Sequence, residues 1–195
     1  MAGKNTAIVL AAGQGKRMHS KIQKQFLEIQ GHPLLYYSLR CFQDSPLIHE
    51  IILVTGEESV SYCKEEIVKK YGFTKVTAVI PGGKERYDSV YAGLCACEEC
   101  EYVLIHDGAR PFITEEILER GLHKAKETGA CVIGMPSKDT IKLADEDGFV
   151  KETPDRKSAW IIQTPQIFSY SLIRNAHESI RRKDMSSITD DAMVV

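Results

Sequence analysis

Residues 6–18 run Thr6-Ala7-Ile8-Val9-Leu10-Ala11-Ala12-Gly13-Gln14-Gly15-Lys16-Arg17-Met18, an apolar stretch that breaks onto glycine and then onto positive charge. Every position from 6 to 10 favours burial, with no polar alternation. That is the pattern of a strand covered on both faces, as in parallel sheets. Glycines at 13 and 15 allow close backbone approach to a ligand, and exposed N–H groups beside Lys16 and Arg17 suit a polyphosphate. The spacing is not that of a Walker A loop, which needs Gly-Lys-Ser/Thr after a longer gap. It also lacks the third glycine of the dinucleotide fingerprint, which sets aside a Rossmann oxidoreductase despite the acids of Thr55-Gly56-Glu57-Glu58.

Outward from this stretch, further strand-like runs fall at 51–55, 75–80, 102–106, 130–135 and 160–163. Helical spacing marks 33–44, 59–71, a segment from about 87, 114–128 and 171–182. Strands alternating with helices predict an α/β fold: a Rossmann-like, doubly wound, mostly parallel sheet. The rhythm breaks at Asp139. Residues 140–144 and 149–153 flank Asp145-Glu146-Asp147-Gly148, a hairpin signal, so a β-hairpin arm is expected to protrude. At 195 residues the chain suits one domain spanning 1–195, with 137–158 as an inserted arm. Residues 190–195 read as a helix just beginning and stop on Val194-Val195, so the C-terminal end is expected to be truncated.

Net charge is −2, from 25 basic and 27 acidic side chains, which argues against a nucleic-acid partner. The total hides an asymmetry: residues 1–27 carry +5 and no acid, leaving −7 elsewhere. The longest apolar run, 7–12, falls far short of the ~20 residues that span a bilayer, so no membrane association is expected. Six cysteines lack the paired spacing of a zinc site and read as thiols of a reducing cytoplasm.

The first loop, Leu10-Ala11-Ala12-Gly13-x-Gly15-x-Arg17-Met18, followed by Lys24-Gln25-Phe26-Leu27, resembles that of the sugar- and alditol-phosphate nucleotidyltransferases. Five further blocks are similar to the 2-C-methyl-D-erythritol 4-phosphate cytidylyltransferases within that group. They are Gly82-Gly83-x-x-Arg86-x-x-Ser89-Val90-x-Ala92-Gly93-Leu94, His106-Asp107-Gly108-Ala109-Arg110-Pro111, Asp139-Thr140-Ile141-Lys142, Trp160 with Thr164-Pro165-Gln166, and Ile188-Thr189-Asp190-Asp191. They occur in the family's order and cover essentially the whole chain.

The resemblance implies attack by a substrate phosphate oxygen on the α-phosphorus of CTP, releasing pyrophosphate. An anionic phosphate needs no general base, so catalysis would rest on positioning and on charge stabilisation. By motif position, Arg17 and Lys24 would be the catalytic cations. CTP would be held by Ala11, Ala12, Gly13, Gly15, Lys16, Gly82, Gly83, Arg86, Ser89, Asp107 and Ala109. The methylerythritol phosphate would be held by Arg110, Thr164 and Thr189, with Thr140 and Arg156 reaching across from the arm of a second subunit in a homodimer. Read from the residues alone, Ser89 and Arg86 suit a helix cap and a surface arginine equally well. Asp107, at a strand end on the ligand edge, can hold Mg²⁺ or form a turn before Gly108. One departure is Gln23, where the family commonly carries proline; without the ring that fixes φ the loop is less stiff.

The runner-up activity is transfer to a pentitol phosphate such as ribitol 5-phosphate; Gly108-Ala109 and the run at 89–94 side with methylerythritol. A non-catalytic CTP-binding protein is the third reading, should the native chain end at 195, before the family's further lysine.

Overall fold

The computed structural model describes residues 3–13, 22–98, 100–180 and 190–195. Strand β1 (Lys4–Ala11) enters first. A two-strand ribbon, β2 (Glu28–Ile29) and β3 (His32–Pro33), turns through Gln30 and Gly31 at φ of 52° and 79°. Pro33 then caps α1 (Leu34–Asp44), one position earlier than the helix proper. After β4 (Glu50–Thr55), a helix opens as a 3-10 turn at Glu57–Ser59, becomes α2 (Val60–Tyr62) and continues in π geometry over Cys63–Lys69. There follow β5 (Val76–Pro81), α3 (Arg86–Ala96), β6 (Cys100–Asp107), α4 (Glu115–Thr128) and β7 (Ala130–Pro136). The arm strands β8 (Leu143–Ala144) and β9 (Val150–Glu152) precede β10 (Trp160–Ser169) and α5 (Tyr170–Ile180). The expected helix over 190–195 is instead a 3-10 turn at Ala192–Val194.

The sheet order is β5-β4-β1-β6-β10-β7. Strand β1 pairs in parallel with β4 and β6, and β4 with β5. Strand β10 runs antiparallel to both β6 and β7. No helix lies between β7 and β10 to return the chain to the opposite edge. The arm leaves and re-enters at one edge, and the next strand must run backwards. The sheet is therefore mostly parallel, as expected, with one reversed member. That member is also longer than the run at 160–163: the ladder shifts between Ile162 and Gln166, around the cis Thr164–Pro165 bond, and then resumes.

Burial on both faces accounts for the apolar reading of β1. Ala7, Val9 and Ala11 join one core with Leu35, Leu39 and Phe42 of α1 and Leu118 and Leu122 of α4. Ile8 and Leu10 join the other with Val90 and Leu94 of α3 and Ile173 of α5. Each of the larger of these side chains, fully buried, contributes about 1.5–3 kcal/mol. All six cysteines are free thiols. The arm strands are shorter than the flanks at 140–144 and 149–153, and residues 142–153 are exposed throughout. Asp145 Oδ1 closes the turn by accepting the N–H groups of Asp147 (3.1 Å) and Phe149 (2.8 Å), and Gly148 supplies φ 86°. Among the described residues no helix is long and apolar enough to cross a membrane.

Candidate functional site

Successive strands wind outward from β1 in both directions, so the crevice beyond the carboxyl ends of β1 and β6 is where a ligand binds in such a sheet. At the end of β1, Ala11 is buried, Ala12 half-buried and Gly13 exposed. A Cβ placed on Gly13 would meet none of the described atoms within 4 Å, leaving this backbone open to a ligand. Gly15, Lys16 and Arg17 lie outside the described residues, as does Thr189.

Lys24 stands exposed in a 3-10 turn, Lys24–Phe26, that is fastened to the strand end by its neighbour. Gln25 is buried, and its Nε2 donates to the Ala11 carbonyl (2.6 Å) and the Gly13 carbonyl (3.2 Å). The sequence motif points to Lys24; the tether is Gln25, which stands in the same motif without an assigned role.

The second wall is the loop from Pro81 into α3. Gly82 N–H donates to the Thr55 carbonyl (2.7 Å), drawing the loop over β4 toward β1. A Cβ on Gly82 would lie 2.9 Å from Ala12 Cβ and 2.6 Å from Ser89 Oγ, so only glycine permits this approach. Ser89 sits inside α3 and is not its cap: Oγ accepts from Gly83 N–H (3.1 Å) and donates to the Glu85 carbonyl (3.2 Å). Glu85 is the N-cap, and Asp88 accepts from its N–H at 3.2 Å in a capping box. The structure thus brings Ala11, Ala12, Gly82, Gly83 and Ser89 together.

Arg86 opens α3 and reaches across the crevice. Its Nη1 pairs with Asp191 Oδ2 at 2.8 Å, and its Nε and Nη2 lie 3.4 Å from Asp107 Oδ1. Arg86 is therefore a strut between two carboxylates, not the lone surface arginine that its sequence also allowed. Asp107, at the end of β6, accepts from Arg110 Nε at 3.0 Å through its other oxygen. Arg110 also donates to Gln163. Burial pushes the Asp107 carboxyl up, but Arg86 and Arg110 outweigh it and hold the group below its usual range. Asp191 is 1 % exposed and goes the other way: burial raises it, and Arg86 offsets this only in part. Its Oδ1 has no hydrogen-bond partner among the described residues.

Thr164 accepts the Asp107 N–H (3.2 Å) and lies 3.0 Å from His106 Nδ1. A carbonyl can only accept, so Nε2 carries the proton of the neutral ring and donates to the Arg110 carbonyl at 3.1 Å, which leaves Nδ1 to accept from the Thr164 hydroxyl. Burial drives His106 down to about 4, so it stays neutral and fully committed as a scaffold. Ala109 completes the turn, closed by Arg110 N–H on the Asp107 carbonyl (3.0 Å).

Arg86, Asp107, Arg110, Gln163, Thr164, Gln166 and Asp190 line one open hollow of about 240 Å³. Thr140 and Arg156 are not among its lining residues. Both are exposed on the arm, where Arg156 Nη1 donates to the Lys138 carbonyl at 3.5 Å. Gln163 lies outside the motifs, and Gln166 and Asp191 stand inside two of them without an assigned role, because what each does is make a contact across the chain.

This arrangement can grip an anionic ligand between two arginines and a glycine-lined backbone, and the chain is similar to known proteins along nearly its whole length. The family model for 2-C-methyl-D-erythritol 4-phosphate cytidylyltransferase (IspD) matches residues 5–195. The protein of that name from Lachnoclostridium phytofermentans is 50% identical over 192 residues, covering 98% of this chain and 82% of its own. The corresponding protein of Clostridium botulinum strain Loch Maree is 49% identical over 193 residues, with 98% and 83% covered. Among solved structures, the 4-diphosphocytidyl-2C-methyl-D-erythritol synthase of Anaerococcus prevotii superposes with a TM-score of 0.85 at 32% identity, over 98% of this chain and 81% of that one. A match spanning both halves of the crevice, at these identities, places the chain in the 2-C-methyl-D-erythritol 4-phosphate cytidylyltransferase family.

Proposed function

We infer that this chain transfers the cytidylyl group of CTP to 2-C-methyl-D-erythritol 4-phosphate, releasing pyrophosphate, in isoprenoid precursor synthesis. The observation that carries the reading is the hollow at the switch point, where Arg86, Asp107, Arg110 and Thr164 converge in a chain of this family. The acceptor phosphate oxygen bonds to the α-phosphorus as the bond to the pyrophosphate oxygen breaks. The nucleophile is already anionic, and the nearby His106, neutral with both nitrogens engaged, is not asked for a proton.

Lys24 and Arg17 are the cations proposed to meet the developing charge. Support for Lys24 comes from its exposed place on a turn that Gln25 ties to Ala11 and Gly13. Losing one such contact costs about 10²–10³ in rate. Lys16, Gly15 and the Ala11–Gly13 backbone are assigned to the triphosphate, with the Gly82–Ser89 loop and Ala109 on the nucleoside side. Arg110, Thr164 and Thr189 are assigned to the acceptor.

Among the described residues no group of three or more metal-ligating side chains is preassembled. Mg²⁺ on a triphosphate takes only one or two carboxylates and otherwise phosphate oxygens and water. Asp107 fits that demand, being a carboxylate kept ionised at the mouth of the hollow. When bound there, the ion would neutralise charge on the triphosphate oxygens.

The arm is assigned to a homodimer. Leu143, Phe149 and Val150 on it, with Met135, Trp160, Ile161 and Ile162 at its base, are exposed apolar side chains grouped along one region of chain. Thr140 and Arg156 would then serve the partner's hollow. A cytoplasmic location agrees with six free thiols.

Pyrophosphate release with CTP and Mg²⁺ tests the function. Methylerythritol phosphate is expected to be turned over in preference to ribitol 5-phosphate. Preference for the pentitol would overturn the assignment.

A further inference from the structure

Gln166, on β10 two residues beyond Thr164, is 1 % exposed, with both ends of its amide hydrogen-bonded. Its Oε1 accepts the N–H groups of Asp191 (3.0 Å) and Ala192 (3.1 Å), and its Nε2 donates to Asp190 Oδ2 (2.9 Å). The other Asp190 oxygen accepts from Met193 N–H at 3.1 Å, closing the turn on itself. Beyond the turn, Asp191 Oδ2 holds Arg86, which also reaches Asp107. A single amide thus ties residues 190–192 to the sheet, directly beside the proposed acceptor contact Thr164.

We propose that Gln166 is a positioning residue for the phosphorylated acceptor. It fixes the Asp190–Asp191 turn, whose Asp190 lines the same hollow as Thr164. The inference rests on the cytidylyltransferase reading. Glutamine suits the task because the turn presents two N–H donors and one carboxylate acceptor, a set that an amide can satisfy at once. A carboxylate in its place would face Asp190, and an alkyl group would leave two N–H groups unpaired. The nucleoside side is organised without Gln166, through Ser89, Glu85 and Asp88. A displaced turn therefore affects the acceptor before it affects CTP.

The test is steady-state kinetics on the full chain for Gln166→Glu, Asp190→Asn and the double variant, with CTP affinity by calorimetry and melting temperature alongside. Gln166→Glu is expected to lower kcat/KM for methylerythritol phosphate at least about tenfold, since small displacements near reacting groups cost up to about 10²-fold. Its CTP affinity should stay within about threefold, because the Gly82–Ser89 loop keeps its own bonds. In the double variant the carboxylate of residue 166 accepts from the amide of residue 190, so that one bond is restored in reversed sense, the three backbone N–H groups keep their acceptors and no like charges meet. Its kcat/KM is expected to exceed that of either single variant, because in Asp190→Asn alone two amide donors face each other and in Gln166→Glu alone two carboxylates do.

Normal kcat/KM in Gln166→Glu, or a melting temperature that falls while the kinetics of the folded enzyme do not, would overturn the proposal. An equal loss of CTP affinity would overturn it as well. Should Gln166→Glu not fold, the double variant decides by the same comparison with Asp190→Asn. Absence of turnover in the unsubstituted protein would instead strike at the functional reading, so the two failures are separable.

Discussion

Glu50 shows how a side chain that looks like surface in the sequence becomes structural. It opens β4 ahead of Ile51-Ile52-Leu53, yet it is 7 % exposed. Its carboxylate accepts from Thr77 Oγ1 at 2.7 Å and Thr6 Oγ1 at 3.2 Å, and pairs with Lys4 Nζ at 2.8 Å. Burial raises the group, but Lys4 and the two hydroxyls prevail and hold it below the usual carboxylate range. A carboxyl lowered in the fold stabilises it above the unfolded value, and the benefit is lost as pH falls through the folded one. Glu50→Gln should therefore cost about 1–3 kcal/mol near pH 7. That deficit should close on acidification below the ordinary glutamate range of about 4.3. Denaturant unfolding at several pH values measures this, and a deficit independent of pH would refute it. Turnover should be unchanged, because Glu50 lies at the amino end of its strand, away from the hollow. Asp107 and Thr164 were legible from their motifs. Glu50 was not, and Gln25, Gln166 and Asp191 stood in their motifs without a legible role, because each acts by bonding a residue distant in the chain.

Among elements, α3 carries the site at one end and packs the core along its length. Arg86 and Ser89 occupy its first turn, while Val90 and Leu94 face Ile8 and Val54. The helix rides close to the sheet because Gly93 has no side chain: a Cβ there would lie 2.6 Å from Ile8 Cγ2 and 3.3 Å from Val54 Cγ2. Both atoms belong to fully buried β-branched residues with little room to turn. Gly93→Ala should destabilise by about 1–3 kcal/mol, the usual cost of overpacking, even though alanine favours helix. It should also weaken CTP binding by shifting Arg86 and Ser89. Melting temperature and CTP titration check both effects, and a variant as stable as the parent would show that the helix can slide outward freely. At this scale most of the fold was legible: five helix-sized patterns and six strand-sized runs were recoverable from periodicity alone. The direction of β10 was not, since direction depends on how the chain returns and not on local composition. The arm was legible through Asp145 and Gly148, whose turn chemistry is local.

Across the whole molecule, Lys24 stands exposed on a turn tied to the end of β1, while the arm and its base display the largest group of exposed apolar residues among those described. Those two facts fit one assembly, in which the arm of one subunit covers apolar surface on another and delivers Thr140 and Arg156 to a hollow it does not line in its own chain. Subunit mixing tests this. Lys24→Ala removes the proposed catalytic cation from a subunit's own hollow but leaves its arm intact, and Arg156→Ala does the reverse. Each homodimer should be nearly inactive. In the mixed dimer, the hollow of the Arg156→Ala subunit retains Lys24 and receives Arg156 from its partner, so one working site is rebuilt. Denaturing and refolding an equimolar mixture should restore about a quarter of the parent activity, because half the dimers are mixed and each has one of two sites. If Arg156 acted within its own chain, the mixed dimer would hold no complete site and the mixture would stay inactive. Sedimentation of Phe149→Asp supplies the companion measurement: a charge in the apolar patch should yield monomers that are folded yet inactive. A fully active monomer would mean that the hollow is complete within one chain and that the exposed arm serves some other purpose.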